Sequence, residues 1–276
     1  MASTPATGTL KVPGAELYYE VRGQGPLVAL VGSPMNAEAF GPLADLLADG
    51  HTVLTTDPRG IGKSVLEDPE QDSTPDLRAD DLARLVEHVA AGPAAVLGSS
   101  GGAVTALALA RSRPELLGTV VAHEPPLSEL LDDRAELHAG TERMIGIYRS
   151  GDPKGAWAAF MDNAGIRLPE GALDAMVGGE RSPQEVADER RFFLHEMRGT
   201  THWRPDTEAL RSGGARVVVG IGEDSAGELC DRTSRALAEA LGTEPVMFPG
   251  GHTGFTEDPG AFAARLRPVI APEGVH

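Results

Sequence analysis

Short runs without polar alternation recur along the chain, and they constrain its fold more than any other feature. Leu27-Val-Ala-Leu-Val31, Thr52–Thr56, Ala94–Leu97, Thr119–Ala122, Arg216–Val219 and Glu244–Phe248 are such runs. A strand that lacks alternation is buried on both faces, as in a parallel sheet covered by helices. Between the runs, Ala37–Leu47, Leu77–Ala90, Ala103–Arg111 and Cys230–Leu241 carry apolar residues at three- and four-residue spacing, which predicts helices. Gly92, Pro93, Pro114 and Gly242 punctuate their ends. Gly8–Val12 and Glu16–Val21 do alternate, and the Pro13-Gly14 between them predicts a hairpin. The expected fold is α/β: a mostly parallel eight-stranded sheet covered by helices, with an antiparallel start.

One stretch departs from the alternation. From Pro125 to about Gly213 the sequence offers no strand, only helical patterns near Ser128–His138, Thr141–Arg149, Gly155–Met161 and Pro183–Arg198. The stretch exceeds eighty residues, against twenty to forty for the other crossovers. A connection that long predicts an inserted helical cap over residues 125–212, with residues 1–124 and 213–276 forming the core.

The chemistry concentrates in Val96-Leu-Gly98-Ser99-Ser100-Gly101-Gly102-Ala103-Val104: a buried strand, then G-x-S-x-G, then an apolar helix. A serine nucleophile must project from a tight strand-to-helix turn, and small residues two before and two after it let the backbone bend that sharply. The register selects Ser100 rather than Ser99. The helix that follows aims its first N–H groups at the site, which suits developing negative charge.

With that motif in place, the chain resembles an α/β-hydrolase over nearly its whole length outside the cap. Asp57-Pro58-Arg59-Gly60-Ile61-Gly62-Lys63-Ser64 is similar to the family's D-x-R-G-x-G-x-S loop, and Val31-Gly32-Ser33-Pro34 resembles its H-G-x-P oxyanion loop, with valine where histidine is usual. Gly250-Gly251-His252-Thr253-Gly254-Phe255 resembles its histidine loop, and serine precedes histidine in the family's order. The resemblance implies Ser100 as nucleophile, His252 as general base, and the backbone N–H groups of Ser33 and Gly101 as the oxyanion hole. Family members usually carry the acid after the seventh strand, but in that register Gly222-Glu223-Asp224-Ser225 offers a serine. Some relatives carry it after the sixth strand, where this chain has Ala122-His123-Glu124. Glu124 is the preferred acid; Asp224, and after it Glu223, are the alternatives. Met35, His123 and Trp203 are candidate pocket residues; His123 equally fits packing beneath the pocket, and Trp203, like Trp157, Phe160, Phe192 and Phe193, fits either the cap interior or a pocket wall.

The implied activity is a serine hydrolase acting on a small or medium apolar ester, lactone or related acyl substrate through an acyl-serine intermediate, with no metal or organic cofactor. A perhydrolase or haloperoxidase-like reaction, a carbon–carbon bond hydrolase, or a ligand-binding protein that kept the hydrolase shell would share the same residues. Epoxide hydrolases and dehalogenases need a carboxylate at the elbow, where this chain has serine. Gly60–Ser64 lacks the first glycine of a phosphate loop, and His195-Glu196 lacks a second histidine four residues on, at Gly199. The net charge of −17 without a basic cluster argues against nucleic-acid or anionic-membrane partners and leaves a small-molecule substrate as the expected partner. Cys230 is the sole cysteine, so no intrachain disulfide forms, and a cytoplasmic location is expected.

Overall fold

Nine strands join in one sheet in the computed structural model, which describes residues 4–89, 92–167, 169 and 171–271. They are β1 (Ala6–Val12), β2 (Ala15–Arg22), β3 (Leu27–Val31), β4 (Thr52–Thr56), β5 (Val65–Leu66), β6 (Ala94–Ser99), β7 (Leu117–His123), β8 (Arg216–Gly222) and β9 (Val246–Phe248). Eight follow the order β1-β2-β4-β3-β6-β7-β8-β9, and β5 pairs with β2 off this path. The sequence leads to eight strands; the ninth is a two-residue pairing, too short to leave a pattern. Pairings of β2 with β1, β4 and β5 are antiparallel, and every pairing from β4 through β9 along the path is parallel. The chain leaves β3 to build β4 on one side and returns to build β6 on the other. The carboxyl ends of β3 and β6 therefore flank a switch point, where open α/β sheets form their ligand crevice.

Helices α1 (Gly41–Leu47), α2 (Pro75–Val89) and α3 (Gly101–Ser112) lie before β7. The predicted end of α2 at Ala90 falls outside the described residues. Between β7 and β8 come α4 (Arg134–Arg149), α5 (Pro153–Ala164), α6 (Ala172–Val177), α7 (Pro183–Arg191), α8 (Met197–Thr201) and α9 (Thr207–Ser212), and no strand among the described residues. Helices α10 (Leu229–Leu241), α11 (Gly254–Glu257) and α12 (Pro259–Ile270) complete the chain. Strand β3 explains the two-sided core: Leu27, Ala29 and Val31 pack with α2, α3 and α10, while Val28 and Leu30 pack with α1, α11 and α12. Both faces are apolar because both are covered.

Two predicted helices of the insert, Ser128–His138 and Thr141–Arg149, are largely one helix, α4. Gly140, between the two predicted stretches, sits inside α4, where an added Cβ would meet the Asn163 side chain of α5. A π-helical turn, Phe192–Glu196, links α7 directly to α8. Phe193 is buried with Met144, Ala156 and Met197, stacked on Tyr148 at 4.8 Å. Arg191 ties the insert to the core through the carbonyls of Gln71 (2.6 Å) and Arg59 (3.1 Å). Arg59 itself is held by a two-point bond to Asp81, each arm 2.7 Å. Trp203, expected at a pocket, instead belongs to the main core cluster, with the Arg111 guanidinium 5.6 Å from its ring centre. Among the described residues no helix is long and apolar enough to cross a membrane.

Candidate active site

Ser100 stands between β6 and α3 with φ 56° and ψ −124°, a positive φ rare for a residue with a side chain. Its surroundings enforce the bend. The Ser100 amide donates to the His123 carbonyl at 2.9 Å. A Cβ at Gly98 would strike the Gly102 carbonyl, and one at Gly102 would strike the Val31 carbonyl. The first turn of α3 thus lies against the loop after β3, and Gly101 approaches so closely that an added Cβ would sit 2.7 Å from the Ser33 carbonyl oxygen.

That loop is held from below by Asp57. Its carboxylate accepts the amides of Ala37 and Lys63, both at 2.8 Å, which joins the loops after β3 and β4. Burial raises the Asp57 pKa, and the two amides work against that rise. The D-x-R-G-x-G-x-S motif is therefore a fastening, with Arg59–Asp81 as its second point.

Glu124 and His252 meet at the far side of the crevice. Glu124 follows β7 at φ 52° and is fully buried. Its Oε2 lies 2.6 Å from His252 Nδ1, and its Oε1 accepts the Gly222 amide at 2.8 Å. Burial alone would raise the Glu124 pKa, but the hydrogen bond and charge of His252 outweigh it and hold the carboxyl below its ordinary value. The His252 ring is driven the other way. Burial disfavours its charged form, but the neighbouring Cys230 sulfur and the Glu124 carboxylate prevail and raise its pKa well above the usual range.

Ser100, Gly101, Ser33, Met35, Cys230 and His252 line one cavity of about 220 Å³. The insert supplies its opposite wall, largely apolar, from Met144, Trp157, Phe160, Phe192, Glu196 and Met197. The geometry thus brings together the serine, the histidine, Glu124, both candidate oxyanion donors and Met35. It does not bring in the other acids: Glu223 and Asp224 are exposed, their amides bonded to the Phe248 and Gly250 carbonyls. His123 is a second correction to the expected pocket. Its fully buried ring packs edge-on against Phe248 (5.6 Å) and Phe262 (5.4 Å), and burial pushes its pKa down to about 4. Alternation along β7 puts His123 on the same side as Val121, toward α12 and away from the crevice. Sequence reasoning missed Glu196 and Cys230 as cavity residues; no local motif marks either.

A model of the alpha/beta hydrolase family matches residues 27–265. The chain belongs to that family. This α/β-hydrolase is 34% identical over 274 residues to the uncharacterized hydrolase YraK of Bacillus subtilis (strain 168), covering 98% of this chain and 97% of that protein. It is 36% identical over 107 residues, 38% of each chain, to a 2-(acetamidomethylene)succinate hydrolase of Mesorhizobium japonicum. Among solved structures, a thermophilic esterase from Thermogutta terrifontis superposes with a TM-score of 0.69 at 23% identity, over 98% of this chain and 100% of that one. Est816, described as an N-acyl homoserine lactone degrading enzyme, gives a TM-score of 0.73 at 19% identity, over 95% and 100%. At those identities the two structures speak for the fold. The family and the full-length relative make the protein an enzyme, a hydrolase.

Proposed function

We propose that this hydrolase cleaves small or medium apolar esters or lactones by a serine mechanism, with residues 125–212 acting as a cap. The observation that carries the reading is the 2.6 Å contact between His252 Nδ1 and Glu124, at a cavity that Ser100 shares. With Nδ1–H engaged by the carboxylate, Nε2 is left as the basic nitrogen. Ser100 Oγ attacks the acyl carbon as Nε2 takes its proton. The developing oxyanion is received by the amides of Ser33 and Gly101, each worth about 2.7–4 kcal/mol of barrier. His252 then returns the proton to the leaving oxygen, and water, activated by the same nitrogen, releases the acid. The apolar wall from the insert supports an apolar substrate and keeps bulk water from the acyl-enzyme.

The test is labelling with a fluorophosphonate together with turnover of 4-nitrophenyl butanoate. Label mapped to Ser100, and loss of turnover by at least about a thousandfold in Ser100→Ala with unchanged melting, is the expected result. Turnover undiminished in Ser100→Ala would end the proposal.

A further inference from the structure

Glu196 ends the π-helical turn and lines the cavity, yet it is 1% exposed. Its Oε2 accepts a hydrogen bond from Ser33 Oγ at 2.6 Å. Its Oε1 is buried and, among the described residues, meets no hydrogen-bond donor. A buried carboxylate oxygen without a donor is costly, and native structures rarely keep one without use. The π turn is itself a conformation that recurs at functional sites.

The charge around Glu196 narrows what its free oxygen accepts. Arg78 is buried beneath the site and, among the described residues, donates to neutral acceptors: the Ser73 carbonyl (2.5 Å), Thr105 Oγ1 (3.0 Å) and Thr200 Oγ1 (2.8 Å). Asp81, the other nearby acid, is engaged by both arms of Arg59. Burial lowers the Arg78 pKa, and Glu196 is the foremost charge opposing that fall. Arg191 also has Glu196 as its foremost opposing charge and donates to the Arg59, Pro69 and Gln71 carbonyls, so two buried guanidinium groups already face this carboxylate and it does not call for a cation from the cavity.

We infer that Glu196 Oε1 is a specificity determinant that accepts a hydrogen bond from a neutral hydroxyl or N–H on the acyl part of the substrate, close to the scissile carbonyl. The position follows from Ser33, whose hydroxyl binds the other carboxylate oxygen and whose amide is the assigned oxyanion donor; this part rests on the serine-hydrolase reading. The preferred substrates are then hydroxyacyl or acylamino esters and lactones whose remaining chain is apolar. A plain alkanoate leaves Oε1 unmatched.

Binding separates this inference from the catalytic one. Ethyl butanoate, ethyl 3-hydroxybutanoate and ethyl 3-aminobutanoate (as its ammonium form) are titrated into Ser100→Ala and into Ser100→Ala/Glu196→Gln by calorimetry. The hydroxy ester is expected to bind Ser100→Ala at least about tenfold tighter than the butanoate, the lower end for a hydrogen bond to a charged group. The preference is expected to collapse toward unity with Glu196→Gln, whose amide carbonyl still accepts from Ser33 while its NH₂, a donor, replaces the acceptor Oε1. Equal affinities in Ser100→Ala, or a preference unmoved by Glu196→Gln, overturn the inference. Tighter binding of the ammonium ester overturns the neutral-donor assignment. If Glu196→Gln fails to fold, with Arg78 left uncompensated, the ratio in Ser100→Ala alone decides. Fluorophosphonate labelling of the wild type reads the serine chemistry independently. A hydroxyl preference without labelling would refute the serine mechanism and leave the acceptor role of Glu196 standing.

Discussion

Replacing Glu124 by glutamine keeps the side chain's shape and removes its charge, and the surrounding bonds dictate the outcome. The carboxylate serves two donors at once, His252 Nδ1–H and the Gly222 amide. One amide oxygen cannot serve both. Turned toward Gly222, glutamine presents its NH₂ to His252, which then carries its proton on Nε2 and cannot receive one from Ser100. Turned the other way, NH₂ opposes the Gly222 N–H and leaves a buried donor unmet, at about 1–3 kcal/mol. In both orientations the imidazolium formed during attack loses its counter-charge. At 2.6 Å and an effective dielectric constant of about 20, that interaction is on the order of 6 kcal/mol. Part is recovered through the amide dipole, so the expected loss in kcat/KM is about 10³- to 10⁴-fold. The assay is 4-nitrophenyl butanoate hydrolysis from pH 5 to 10, with thermal melting as the folding control. A general base must be neutral, so wild-type kcat/KM should rise with pH through the elevated pKa of His252. In Glu124→Gln the residual activity should rise at lower pH, because the carboxylate that favours the charged ring is gone. A folded variant within about tenfold of the wild-type rate, or a rising limb that stays in place, would refute the assignment of Glu124.

Two further outcomes follow from the same geometry. Asp224→Asn should leave kcat/KM within about twofold, since Asp224 is exposed and does not reach His252; a loss of orders of magnitude would return the acid to the loop after β8. Gly102→Ala should lower stability by more than about 3 kcal/mol, read from the shift in denaturant midpoint, because the new methyl meets the Val31 carbonyl and lies 2.6 Å from Gly32 Cα, both rigid backbone. A neutral substitution there would mean that the elbow has more room than its contacts allow.

Much of this was legible because it rests on backbone requirements. Runs buried on both faces expose their own pattern, so all the long strands were visible, whereas β5 was not, having only two residues. Gly98, Ser100 and Gly102 were legible because a bend that tight admits few residue types. The residues read less well are those whose role depends on a distant partner. The two helical stretches on either side of Gly140 are one helix, and Asn163 of another helix packs against that glycine. Trp203 and His123 have the chemistry of a pocket, but their direction from the backbone sends them into the core. Glu196 gives no local signal at all, since its place beside Ser33 comes from a contact spanning 163 positions. The choice among Glu124, Asp224 and Glu223 was open for the same reason: spacing along the chain does not say which carboxylate faces an imidazole.

Glu124 is bolted to its neighbour strand twice, its amide to the Gly220 carbonyl at 3.0 Å and its carboxylate to the Gly222 amide. An anion anchored at a strand's tip has no need of the segment beyond β8. In the proposed mechanism that segment carries no proton, and the residues that follow it, Glu228, Leu229 and Cys230, stand instead as panelling of the chamber. A change of length or composition there would reshape the chamber while the charge behind the imidazole stays where it is.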